Sequence, residues 1–320
     1  MNIKKAINRE VLPTLSRIGI LAVLIILGII INPSFLSVRN IGNNLANASL
    51  YVILGVGETV AIITNGPDLS AGSIMTMGGV VTAIMLKNFN TPVIVAIILG
   101  VAVGVLCGAL NGLMIAYVKI PAFISTYGMQ WAIFGFAYII LNGYVLYSFP
   151  DNFRMIGNAW ILKYISSATI CGIAAAIIGI VMLNKFKFGR QCYSVGSNRT
   201  QADMSGIDSK KVILRAFIFS GAMAAFAGVI YVARMNSVQS DIGSAYLLNV
   251  LAAVYMGGTS AAGGEGGIAG TIVGALAMTI VVNCMNLLAI SSDLRNAVIG
   301  VLIIVTVLLD TAVRRRAEKN

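Results

Sequence analysis

Apolar residues in this chain do not alternate with polar ones; they run in unbroken blocks. Stretches 18–38, 88–118, 120–150, 164–184 and 266–292 contain no charged residue. Each is long enough to cross a bilayer, which takes about 20 mostly apolar residues at ~1.5 Å rise per residue. Backbone groups in hydrocarbon must be hydrogen-bonded internally, so helices are the expected form. Strands of a membrane barrel would alternate apolar and polar side chains over about 10 positions, whereas 96–109 and 172–183 are apolar on every side.

Breaks at Gly, Pro, Asn and charged residues divide the chain into ten spans, near 18–31, 42–64, 70–87, 92–118, 122–141, 160–184, 212–233, 245–257, 267–290 and 295–311. The expected fold is an all-α polytopic membrane protein, one transmembrane domain over 1–320 with polar segments at 1–17, 185–211 and 312–320. Two segments share a plan of apolar helix, small-residue break and second helix: 54–85 around Asn65, Gly66 and Pro67, and 250–278 around 257–267. That plan suggests two related halves, a common construction in transporters. Glycines recur at every fourth position at Gly100, Gly104, Gly108 and Gly112, and again at Gly266, Gly270 and Gly274. Such stripes let helix backbones approach closely, and packing within the chain is the expected use.

Composition supports the same class, since 58% of residues are hydrophobic and 10% charged, against about 25% charged in an average soluble domain. The net charge of +11 would suit nucleic acid if it sat on a polar domain. Here the basic residues flank apolar spans, so topology accounts for them and no nucleic-acid partner is expected. With the N-terminus in the cytoplasm, only Arg39, Lys87, Arg154, Lys163, Arg234 and Arg295 of the 22 Lys and Arg fall outside. The reverse orientation would invert that split against the positive-inside rule. An even number of spans returns the C-terminus to the cytoplasm, which then also holds 185–211. Lys4, Lys5, Arg9 and Arg17 before the apolar 18–31 resemble a signal peptide. The A-x-A pattern of 46–48 lies too far beyond that stretch for cleavage, so an uncleaved first span is expected.

Several chemistries are excluded. No G-x-x-x-x-G-K-[ST] loop exists, so ATP would have to be hydrolysed on another chain. Without histidine there is no ordinary Ser-His triad and no imidazole metal site, and the acids form no paired-carboxylate motif. No catalytic residue and no metal ligand is therefore assigned. Cys107, Cys171, Cys192 and Cys284 form no CxxC pair and are expected to be free thiols.

Three features remain. In 64–72, Gly66 and Pro67 break one helix and Asp68 is placed to cap the next. A helix start inside a membrane protein offers free N–H donors to a polar solute. Glu58 stands two turns earlier, and a carboxylate at that depth costs roughly 2.5–3.5 kcal/mol on insertion scales unless it meets a polar cavity or a partner. Glu58, Asn65, Asp68 and Ser70 are accordingly the candidate lining of a solute path. Within 185–211, Asn198 is a good N-cap, Gln201 stands in a capping-box position and Gly206 suits a left-handed C-cap. That predicts an exposed helix of about seven residues.

These motifs resemble the permease subunits of ribose-type ABC importers, in the branched-chain amino acid and ribose permease superfamily. The run 66–73 resembles the family's G-I-D-L-S-V-G-S, 121–126 its P-A-F-I-A-T, 189–207 its G-R-x-x-Y-A-x-G-x-N-x-x-A-A-x-x-S-G-I, and 257–264 its G-G-T-S-L-A-G-G. The order is kept through nearly the whole chain, with departures at Glu58, Pro67, Phe134, Gln201 and Asp203. The resemblance implies a permease subunit, not an enzyme, that carries a ribose-like monosaccharide or related polyhydroxy solute across the bacterial plasma membrane. It also implies the partners: a second permease copy or paralogue, a cytoplasmic ATPase that binds the ATP, an extracytoplasmic sugar-binding protein, and membrane lipid. Asn198, Arg199, Gln201, Ala202, Asp203, Ser205 and Gly206 would form the coupling helix to the ATPase. The competing reading is an ion-coupled secondary transporter of a small polar solute. It wants buried acids or histidines, and only Glu58 lies well inside an expected span.

Overall fold

The computed structural model describes residues 19–162 and 164–319. The expected N-terminal segment 1–17 lies outside the described residues, as does Lys163. Ten helices fall on the ten expected spans: α1 (Gly19–Ile31), α2 (Val38–Ile63), α3 (Ala71–Lys87), α4 (Val93–Leu113), α5 (Ala122–Leu141), α7 (Ser167–Lys185), α10 (Ser209–Met235), α11 (Ser244–Met256), α12 (Ile268–Leu287) and α13 (Ser292–Lys319). A π-helical turn, Met114–Val118, extends α4. Six of these helices are long and apolar enough to cross a membrane, namely α2, α4 with its extension, α5, α7, α10 and α12. Among the described residues the architecture is all-α apart from two short two-stranded pairings.

Local signals explain most helix ends. Ser37 caps α2 by accepting a bond from Asn40 N–H, and Ser166 caps α7 through Thr169 N–H. Asn65, Asn142 and Asn236 all adopt left-handed backbone just beyond helix ends, the conformation Asn tolerates better than most side chains.

The connections segregate to two ends of the bundle. At one end β1 (Leu146–Tyr147) pairs with β4 (Ser237–Val238), Lys87 donates to the Tyr147 and Ser148 carbonyls, and Asn40 exchanges amide bonds with Asn283. At the other end the Ile63 carbonyl accepts from Gly264 N–H, Tyr193 donates to the Gly266 carbonyl, and Arg199 to that of Ala116. Alternate connections thus meet one another, as they do when successive helices run antiparallel.

α10 is the central element and packs on α4, α3 and α2. The α4 glycine stripe works within the chain: a Cβ on Gly104 would strike the Gly221 carbonyl, and one on Gly108 the Phe217 carbonyl. In the second stripe, a Cβ on Gly274 would strike the Ala253 carbonyl of α11. Gly266 instead lies in the preceding loop at φ 140°, a backbone conformation that suits glycine.

α11 has 13 residues, about 20 Å at 1.5 Å each, which is short of the ~30 Å hydrocarbon core. It starts inside the bundle. From β4 the chain descends beside α3 until Gly243 backs onto Gly72 and donates its N–H to Thr76 Oγ1 at 3.0 Å. Thr76 lies about 16 Å along α3 from Lys87 at that rise. Non-helical backbone at such depth is tolerated where protein or a polar cavity surrounds it.

Two local expectations are corrected, and one helix is found where none was assigned. The span placed at 160–184 begins instead with a hairpin, β2 (Trp160–Leu162) against β3 (Ile165–Ser166), and its helix starts at Ser167. Trp, Ile and Leu there favour strand as readily as helix, and the Ser166 cap sets the boundary. The loop after α5 carries an amphipathic helix, α6 (Asp151–Asn158), whose Phe153 is fully buried. The polar segment 185–211 holds two helices rather than one, α8 (Lys187–Ser197) and α9 (Arg199–Met204).

Candidate functional site

The break between α2 and α3 draws the polar residues of three helices together. Beyond Ile63, the Asn65 N–H bonds the Ile62 carbonyl and the Gly66 N–H that of Ala61, closing α2 in a left-handed turn. Pro67 then commits the chain to leave the helix, because its ring permits no further i−4 bond. Asp68 does not cap α3 itself, whose N-cap position is held by Ser70. It caps the preceding turn: Asp68 Oδ1 accepts from Ser70 N–H at 3.1 Å and from Ser70 Oγ at 2.6 Å. Asp68 Oδ2 accepts from Ser220 Oγ of α10 at 2.9 Å, and Asn111 of α4 donates to Ser70 Oγ at 2.7 Å. Glu58 Oε1 accepts the Asp68 N–H at 3.0 Å.

Glu58, Asp68, Ser70 and Asn111 are each 0% exposed. The cluster therefore joins α2, α3, α4 and α10 through hydrogen bonds in a low-dielectric interior, where satisfied bonds are strong and unsatisfied groups costly. Two acceptors in it, Glu58 Oε2 and Asn111 Oδ1, have no partner among the described residues. A polar solute or water reaching this point would find two open acceptors. Asn65 stands apart from the other three expected path residues: it is exposed and lines a cavity of about 350 Å³ with Lys119, Gly196, Asn198 and Arg199. Asn111 and Ser220 belong to the cluster and were not expected from the sequence. Asn111, a lone amide in an otherwise apolar span, was the available signal.

The same end carries α8 and α9. Gly196 of α8 lies so close to the Ile63 carbonyl and Gly264 N that a Cβ there would collide with both. The two helix breaks and α8 thus form one joint. Asn198 caps α9 as expected, accepting from Gln201 N–H at 3.0 Å. The reciprocal half of a capping box is absent, because the Asn198 N–H bonds the Ser194 carbonyl instead. Gly206 closes the helix at φ 80°.

Of the seven residues assigned to this helix, Arg199 and Asp203 face back toward the protein. Arg199 donates to Ser209 Oγ at 3.1 Å and to the Ala116 carbonyl, while Asp203 accepts from the Ser209 N–H and hydroxyl at 3.0 Å. Those bonds hold the Asp203 carboxyl below the usual carboxylate range. Their stabilisation is present at neutral pH and is lost only as pH falls through that lowered value. Ala202 is buried beneath the helix and Arg199 is half-buried, whereas Asn198, Gln201, Asp203, Ser205 and Gly206 are exposed. Sequence reading missed Met204, a large apolar side chain of α9 at 85% exposure.

The branched-chain amino acid transport system / permease component family matches residues 40–307. The chain is similar to the ribose import permease protein of Escherichia coli, 34% identical over 91% of this chain and 92% of that one. It is 36% identical to the ribose import permease protein of Bacillus subtilis over 91% of this chain and 90% of that one. The D-allose transport system permease protein of Escherichia coli is 33% identical, over 92% and 91% respectively. No solved structure gives a significant match.

Proposed function

This chain belongs to the branched-chain amino acid transport system / permease component family, and we propose that it is the membrane-spanning subunit of an ATP-driven importer for a monosaccharide in a bacterial inner membrane. The observation that carries the reading is similarity along nine-tenths of the chain to permeases named for ribose and D-allose import. The same similarity favours it over an ion-coupled secondary transporter. Cells that carry the permease with its ATPase and binding protein are expected to take up at least one of ribose, D-allose and galactose. Uptake of none of the three would overturn the sugar assignment.

In this reading both termini and the α8–α9 element face the cytoplasm, two permease copies or paralogues form the pathway, and α9 is the coupling helix. Its exposed Met204 and Gln201 are suited to enter a groove on the ATPase, while Arg199, Ala202 and Asp203 seat it on the bundle. A cysteine at Ser197 should react with a membrane-impermeant maleimide only after cells are opened. Labelling in intact cells would reverse the orientation.

The Glu58–Asp68 cluster is read as part of the solute path that opens during transport, with Asn65 at its cytoplasmic mouth. Support comes from its two unpartnered acceptors beside a broken helix. Glu58→Gln and Asp68→Asn keep shape and are expected to lower uptake by about tenfold or more at normal expression. Unchanged uptake and sugar preference in both variants would leave the cluster a structural clasp only.

A further inference from the structure

A second polar cavity, of about 220 Å³, lies between the first half of α2, the start of α11, the end of α12 and Arg295 of α13. It sits where the chain dips into the bundle before α11, at the end of the molecule opposite α8 and α9. Its wall joins Tyr51 and Tyr246, whose ring centroids are 5.5 Å apart, to Asn249, Asn283 and Asn286. The volume falls below the ~300–1,000 Å³ of drug-sized pockets, which suits one small solute.

Two atoms of the lining are buried and have no partner among the described residues: Asn249 Oδ1, an acceptor, and Arg295 Nε, a donor. Asn249 is 8% exposed, and its amide nitrogen donates to Tyr51 Oη at 3.0 Å and to the Ala245 carbonyl at 2.8 Å. Those two bonds use both amide hydrogens and leave the Oδ1, in a residue of the cavity wall, a buried acceptor without a partner among the described residues. Leaving such a group unsatisfied costs about 1–3 kcal/mol, so the cavity favours an occupant that can hydrogen-bond to it. A simple anion such as acetate or sulfate has no hydrogen to give Asn249, and a simple ammonium has no lone pair for Arg295. A hydroxyl both donates and accepts. The residues lining the cavity include no carboxylate, which again disfavours a cation.

We propose that this cavity is where a neutral polyhydroxy solute is held on its way through the membrane, with Asn249 Oδ1 accepting one of its hydroxyls and the Tyr51–Tyr246 pair covering its apolar face. The proposal deepens, and rests on, the sugar-permease reading. A site built to bond a hydroxyl discriminates strongly among ligands that place that hydroxyl differently.

Uptake of radiolabelled ribose, D-allose and galactose, each measured with the full importer in cells, tests the proposal. Asn249→Leu should lower uptake at least tenfold for the preferred sugar and change the ratios among the three. Tyr51→Phe, which frees the Asn249 amide to turn, should shift the ratios in the same direction with a smaller loss. An exposed rim position provides a check that does not depend on a buried substitution: Asn286→Cys should lose about fivefold or more of its own unmodified uptake once a bulky methanethiosulfonate reagent reaches it. Uptake that falls equally for all sugars in Asn249→Leu, or that survives modification of Asn286→Cys, would overturn the proposal. A wild-type importer that carries none of the three sugars would instead overturn the sugar-permease reading beneath it.

Discussion

Replacing Gly221 with leucine is expected to abolish folded permease. Gly221 of α10 faces Gly104 of α4, and a Cβ at either position would strike the other's carbonyl oxygen. Ordinary overpacking costs about 1–3 kcal/mol because flexible side chains move aside. Here the obstacle is backbone on both helices, so α4 and α10 must separate, and the Asn111 and Ser220 bonds to the buried cluster separate with them. Without a hydrophobic driving force between helices in lipid, close packing of this kind is a main source of their association. Size-exclusion profiles of a fluorescent fusion should show Gly221→Leu aggregated or degraded. Gly135→Leu on α5, where an added Cβ meets nothing within 4 Å, should remain monodisperse. Equal profiles for the two variants would contradict the packing described for the central helix.

The second large effect is expected at α9. Ala202→Pro removes the N–H that bonds the Asn198 carbonyl at 3.0 Å and drives a ring into the preceding turn, at roughly 3 kcal/mol or more. A helix of six residues has no margin for that loss, since short helices are marginal in water without packing. α9 lies outside the spans, so the membrane bundle should insert and fold normally. Co-purification of the ATPase is expected to be lost, and transport with it. Met204→Asp leaves the helix intact and should weaken the same association by altering its exposed face alone. Full transport with normal ATPase recovery in Ala202→Pro would show that α9 does not couple the two subunits.

Much of this fold could be read from the sequence because the membrane imposes one-dimensional rules. Span length, charge-free blocks and glycine stripes are local properties, and all ten expected spans carry helices. The caps at Asn198 and Gly206 were equally legible, because capping acts over three or four residues. What escaped depended on distant partners. Asp68 reads as a residue near a helix end, yet it is fully buried because Ser220, 152 residues away, closes over it. α8 looks like a basic loop until its Gly196 is seen against the Ile63 carbonyl and Gly264. The hairpin at 160–166 was hidden by apolar residues that suit strand and helix alike. The descent before α11 has no signature beyond the shortness of that helix, and the cavity beside it is assembled from four separate elements.

The central claim is that this chain forms the pathway of an ATP-driven sugar importer, and reconstitution tests it most directly. The permease would be placed in proteoliposomes with its ATPase, and uptake of the sugar presented by its binding protein would be followed with and without ATP on the ATPase side. The account requires uptake that depends on ATP and on the binding protein, and that persists when ionophores collapse proton and sodium gradients. Uptake driven by an imposed ion gradient in the absence of ATP and of the ATPase would contradict it.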